Sequence, residues 1–220
     1  MGSVRVLVAD SNEITRKSLC AFIREQRGWE VVAEASDGRE AVAITKRLKP
    51  DVAILDLSMP SLNGLDAARH IAKNGSQTKV LVLALRYVDL LVRQALEMGA
   101  YGYLLRSDTA QDLISAVETL SKGRRFFTKA AENHVLNAYL GTDPKKTVAA
   151  NDGLPRLLTG RQREIVQMIA EGCSSKQVAG ALQISVKTAE THRANVMRKL
   201  ECHAVADLVR YAIRNHIIEA

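Results

Sequence analysis

VAILDLSMPSLNGLDAARHIAK, residues 52–73, decides the architecture. Val52 to Leu55 is an unbroken apolar run of strand length, Asp56 closes it, and after a turn Gly64–Lys73 carries helical periodicity. An apolar run without alternation fits a strand covered on both faces, and a strand followed by a helix is the repeating unit of a parallel sheet with crossover helices. The same unit recurs on either side. Strand-like runs occupy Val4–Ala9, Val31–Ala35, Val80–Ala84 and Tyr101–Leu105. Helical stretches occupy Glu13–Glu25, Gly38–Leu48, Tyr87–Met98 and Thr109–Ser121, the last stopping at Gly123, a residue suited to a left-handed cap. Five such units predict an α/β, doubly wound (βα)5 domain over residues 1–125.

Phe126 to Leu140 reads as one more helix, and Gly141 to Pro155 turns to Gly, Pro, Asp, Asn and Lys without periodicity. Residues 126–153 are therefore assigned to a linker that carries a helix. Everything after it is helical. Thr159 with Gln162 and Ser174 with Gln177 form capping-box patterns, Ser185 is a third N-cap, and four helices follow at Gly160–Glu171, Ser175–Leu182, Val186–Leu200 and Ala204–His216. The short break before Ser185 resembles the turn of a helix-turn-helix, so residues 154–220 are expected to form an all-α four-helix domain.

Composition narrows the function. The 220 residues are 47% hydrophobic and 25% charged, which suits packed cores and excludes wholesale disorder. No run approaches the roughly 18 apolar residues of a spanning helix, and Met1 to Asp10 lacks a signal peptide's long apolar core, so a soluble, cytoplasmic chain without a membrane partner is expected. Cys20, Cys173 and Cys202 have neither disulfide-framework nor metal-ligand spacing, and no metal or cofactor site follows from them. The net charge of +7 suits a polyanionic partner. Residues 154–220 carry 10 basic and 6 acidic side chains against 18 and 15 in residues 1–125, so positive charge is densest in the helical unit.

In the third helix of that unit Ala189, Val196 and Leu200 share one stripe, while Lys187, Glu190, Thr191, Ala194 and Arg198 share another. The second stripe holds small, polar and charged groups. Either it is a solvated face or it lies in the major groove of double-stranded DNA, where Lys approaches guanine acceptors and Glu accepts from cytosine N4. In the fourth helix Val205, Leu208, Val209, Ala212 and Ile213 form an apolar stripe that in a monomer would be core. In the N-terminal unit, strand ends of an open parallel sheet gather at its carboxyl edge, which brings Asp10 and Asp56 toward one another.

LTGRQREIVQMIAEGCSSKQVAGALQISVKTAETHRANVMRKL, residues 158–200, resembles the DNA-binding domain of the LuxR/NarL/FixJ regulators over nearly its whole length, through Leu158–Glu164, Ile169–Gly172 and Ser185–His192. AILDLSMPSLNGLDAARHI, residues 53–71, and GAYGYLLR, residues 99–106, resemble the phosphoacceptor region and fifth strand of two-component receiver domains. Together they cover essentially the whole chain. The resemblance implies a NarL/FixJ (LuxR-type) response regulator: a flavodoxin-like receiver, no enzymatic activity, a homodimer on DNA, and a histidine kinase or other input protein upstream. By motif position Lys187, Glu190, Thr191 and Ala194 face base edges. Ser175, Lys176, Thr188, Asn195, Arg198 and Lys199 meet phosphates, and the last helix dimerises through Val205, Leu208, Val209 and Ile213.

The same resemblance puts Asp56 at the phosphoacceptor position, in a pocket with Asp10, Ser11, Ala84, Tyr103 and Arg106. Three of these depart from the family. Ser11 stands where the family has a second acid that ligates Mg2+, Ala84 stands where a switch Ser or Thr donates to a phosphoryl oxygen, and Arg106 replaces a lysine. A hydroxyl brings no charge to a hard cation and a methyl donates nothing, so the chain reads as a degenerate receiver with Mg2+ binding and phosphorylation in question. Arg106 either forks onto Asp56 or points to solvent; the residues leave both open. Smaller departures are Cys173 for a basic residue, Ser175 for Asn, and Glu201 where Gly usually ends the reading helix. The expected function is sequence-specific transcription regulation that does not depend on Asp56 phosphorylation. The alternatives are a conventional phosphorylation-switched regulator and a protein-binding adaptor without DNA binding.

Overall fold

A computed structural model of the chain describes residues 3–129, 131 and 158–219. These fall into two compact units. The first runs β1 (Val4–Ala9), α1 (Glu13–Glu25), β2 (Trp29–Ala35), α2 (Gly38–Leu48), β3 (Val52–Asp56), α3 (Gly64–Lys73), β4 (Lys79–Ala84), α4 (Asp89–Glu97), β5 (Gly102–Leu105), α5 (Ala110–Ser121) and β6 (Phe126–Phe127). The strands form one parallel sheet in the order β2-β1-β3-β4-β5-β6. Val6–Ala9, Val52–Asp56 and Val80–Ala84 are buried along their whole length, as unbroken apolar runs covered on both faces require. On one face Val6, Val8, Ile54, Leu81, Leu83 and Leu104 pack with Cys20 and Ile23 of α1 and Leu113, Val117 and Leu120 of α5.

Helix starts are fixed locally. Asn12, Asp37, Asn63 and Thr109 are N-caps whose side chains each accept a hydrogen bond from a backbone N–H in the first turn. Gly64 is required where it stands: a Cβ there would collide with the Asp56 carbonyl, so only glycine lets α3 begin against the end of β3.

The chain after α5 departs from expectation. Phe126 and Phe127 do not open a helix; they pair with Gly102 and Tyr103 as a sixth parallel strand, because two consecutive aromatics serve a sheet edge better than a helix start. The rest of the expected helix and linker lies outside the described residues, save Thr128, Lys129 and Ala131.

The second unit is α6 (Gly160–Ala170), α7 (Ser175–Leu182), α8 (Val186–Lys199) and α9 (Val205–Arg214). Both expected capping boxes form, and the Ser185 side chain accepts from the Thr188 N–H. Ile165, Val166, Ile169, Val178, Leu182, Ala189 and Val196 build its core. Glu201, in the place expected for glycine, takes φ 53°, a left-handed conformation that costs a non-glycine residue roughly 1–2 kcal/mol.

Leu208 corrects the reading of the last helix. It is fully buried in the same core, as is Ala212, so it is not available to a partner. The α9 stripe is wide enough to divide: Leu208 and Ala212 face inward, while Val205, 38% exposed, and the half-buried Val209 and Ile213 follow one another at i, i+4, i+8.

Candidate functional site

Asp10 follows β1 and Asp56 ends β3, its neighbour in the sheet, so both carboxylates reach the same edge, and both are buried. Arg106 follows β5. Its backbone N–H donates to the Ala84 carbonyl at 2.9 Å, which anchors it beside the end of β4. From there its Nη2 lies 3.1 Å from Asp10 Oδ2 and 2.6 Å from Asp56 Oδ1, and its Nε donates to Asp56 Oδ1 at 3.2 Å. One guanidinium joins two buried carboxylates, and of the two orientations open for Arg106 the structure has the paired one. Burial pushes the Asp10 carboxyl above its ordinary range, outweighing the Asn12 N–H and the nearby Arg106 and Arg16, which lower it.

Ser11 is exposed at the start of the following loop, and Ala84 presents a buried methyl group. These residues do not fit Mg2+. A hard cation needs several oxygen ligands; the two carboxylates here already share Arg106, and no cluster of three His, Cys, Asp or Glu side chains suited to a metal exists among the described residues. Tyr103 is fully buried, and its hydroxyl donates to the Arg86 carbonyl at 3.1 Å.

Two neighbours escaped the sequence reading. Arg16 donates from Nη1 to the Asp10 carbonyl at 2.6 Å; its place one turn after the Asn12 cap was the available signal. Tyr87 stacks 5.9 Å from Tyr103, donates to Asp108 Oδ2 at 3.0 Å and shares a 2.6 Å hydrogen bond with Thr128. Burial pushes its phenol up to about 12. No local pattern announces a contact between residues 41 positions apart.

In the second unit α8 buries Ala189 and Val196 and exposes Lys187, Glu190, Thr191, Ala194 and Arg198. Thr188 is exposed and shares a 2.8 Å hydrogen bond with Ser185 at the cap. Half-buried Asn195 accepts from Arg198 Nη2 at 2.8 Å, and Lys199 Nζ lies 3.3 Å from Gln162 Oε1 at the start of α6. Ser175 and Lys176 open α7, where unpaired amides and the helix dipole favour an anion; Lys176 is exposed and Ser175 half-buried. Solvent thus reaches all ten residues expected at DNA.

Residues 6–118 match the response regulator receiver domain and residues 156–212 match the luxR family of bacterial regulatory proteins. The transcriptional regulatory protein LiaR of Bacillus subtilis (strain 168) is 34% identical over 216 residues, covering 98% of this chain and 99% of LiaR. The response regulator protein VraR of Staphylococcus aureus is 34% identical over 217 residues, covering 99% of this chain and 100% of VraR. Among solved structures, the signal receiver domain of the putative response regulator NarL from Mycobacterium tuberculosis superposes with a TM-score of 0.55 at 34% identity, over 56% of this chain and 100% of that one. With both family domains in order and near end-to-end similarity to such relatives, the chain belongs to the LuxR-type (NarL/FixJ) response regulators, DNA-binding transcription regulators rather than enzymes.

Proposed function

We propose that this regulator binds its DNA sites without phosphorylation of Asp56, its receiver being held in one state by Arg106. The observation that carries this reading is the single guanidinium joined to both Asp10 and Asp56 at an edge where Ser11 supplies no charge and Ala84 no donor. A cation fixed in the chain replaces the control that a phosphoryl group and its metal would exert. Input then comes from another source, a kinase or other protein among them, and the protein works in the cytoplasm with its DNA. Incubation of the purified chain with Mg2+ and acetyl phosphate is expected to leave its mass unchanged; stoichiometric phosphoryl transfer to Asp56 would refute the reading.

On DNA, α8 is the reading helix, with Lys187, Glu190, Thr191 and Ala194 at base edges. Ser175, Lys176, Thr188, Asn195, Arg198 and Lys199 lie at phosphates, and a second copy pairs through Val205, Val209 and Ile213. Glu190 is the sharpest test. An exposed acid facing a polyanion lowers affinity unless it accepts from a base such as cytosine. Glu190→Ala is expected to relax preference at one base position, worth about 1–3 kcal/mol of discrimination, while nonspecific binding holds or tightens. Lys176→Ala is expected to weaken all sequences alike and reduce the salt slope by about one unit. Competition against single-base variants of the site measures both. An unaltered preference in Glu190→Ala refutes that assignment, and salt-independent binding would favour an adaptor.

A further inference from the structure

We propose that the receiver carries a second binding site, a cavity of about 480 Å3 at the amino edge of the sheet, that takes a small phosphomonoester: a phosphate group on an organic body. The cavity lies between the C-terminal ends of α2 and α3 and the starts of β3 and β4. Asp51 at its rim and Asp56 stand at opposite ends of β3, about 17 Å apart along the strand, so this is not the Asp10–Asp56 edge. Its volume falls within the span of small-molecule sites, roughly 300–1,000 Å3.

The lining sets the ligand class. Lys46, Lys49 and Lys79 contribute three positive charges against the single negative charge of Asp51. That surplus matches a phosphomonoester, which carries about −1.5 to −2 at neutral pH. Val42 and Ile71 supply an apolar wall for the organic body.

Two of the lysines, Lys46 and Lys49, are not engaged in holding the fold. Cations near a helix C-terminus usually serve its carbonyls, but here Arg5 Nη1 takes the Leu48 and Lys49 carbonyls at 2.8 and 3.2 Å. Lys46 and Lys49 are exposed and form no ion pair with any described residue. Lys79 is positioned by the Tyr101 ring, 4.2 Å below its ammonium. Lys49 also sits at φ 48°, a left-handed cap where glycine or asparagine is favoured, so the chain keeps a lysine there against backbone preference.

The test uses the full chain with labelled valine and isoleucine methyl groups, titrated with adenosine 5′-monophosphate, inorganic phosphate and adenosine. The Val42 and Ile71 signals are expected to shift saturably with the monophosphate, at lower concentration than with phosphate, and not with adenosine. The Lys46→Ala/Lys49→Ala double variant, altered at two exposed positions, is expected to weaken the monophosphate by about tenfold or more. Lys187→Ala in the other unit should leave it unchanged. Failure of both phosphate probes to shift Val42 and Ile71 saturably, equal shifts with adenosine, or shifts that survive loss of both lysines would each overturn the proposal. None of these readouts depends on whether Asp56 is phosphorylated.

Discussion

Arg106→Met is expected to lower the stability of the receiver by roughly 3–5 kcal/mol at neutral pH, the usual result of removing one partner from a buried ionic cluster. Methionine fills much of the arginine stem but leaves Asp10 and Asp56 buried side by side without their shared cation. Two such carboxylates cannot both stay ionised cheaply, so at least one acquires a folded-state pKa above its unfolded value. The sign follows. The penalty is complete above that raised pKa and fades as the pH falls through it, so the deficit of Arg106→Met should shrink toward acid pH. Adding Asp56→Asn to Arg106→Met removes one of the two charges and should recover part of the loss. Urea unfolding followed by fluorescence of Trp29, the only tryptophan and a residue of β2, reports on this unit alone. A loss below roughly 1 kcal/mol, unchanged between neutral and acid pH, would mean that the guanidinium does not compensate both carboxylates.

The second large effect separates two neighbours on α9. Leu208→Asp puts a charge without a partner into the core beside Ile165 and Ala212 and is expected to unfold the helical unit, a loss of about 4 kcal/mol or more. Val209→Asp, one position along and half-buried, should leave helicity intact. Its effect should fall on assembly: affinity for a duplex with two half-sites drops toward that for one, a change of roughly a hundredfold. Circular dichroism and gel shifts on single and paired half-sites distinguish the two. A folded Leu208→Asp, or a Val209→Asp protein with full affinity for paired sites, would contradict this division of the helix.

Much of the fold was legible because local signals agreed. Glu13–Glu25, Gly38–Leu48, Gly64–Lys73 and Ser175–Leu182 have the boundaries expected from periodicity and caps, since side-chain capping needs only residues within one turn. The misreadings came where a residue had two plausible environments. Phe126 and Phe127 are apolar enough for a helix face or a sheet edge, and the neighbouring β5 decided for the sheet. Leu208 lies on a stripe broad enough for both a core and an interface, and only packing against α6 assigns it inward. At the carboxylate edge the residues themselves were visible as departures from a motif. The direction of the Arg106 side chain was not, because it depends on the Ala84 carbonyl that anchors its backbone across β4. The lysine-lined cavity left no trace in motif or spacing: its residues come from segments far apart in the chain, and two were read only as helix ends.

Whether Arg106 does the work elsewhere assigned to phosphoryl chemistry is tested most directly by the DNA affinity of three samples measured in parallel at one salt concentration. These are the unmodified protein, the protein treated with Mg2+ and acetyl phosphate, and Asp56→Asn, which keeps the Asp10–Arg106 pair. Equal affinity for the same DNA site in all three is the predicted result. A rise of about fivefold or more on acetyl phosphate treatment, the lower bound of ordinary allosteric coupling, that is abolished by Asp56→Asn would contradict it.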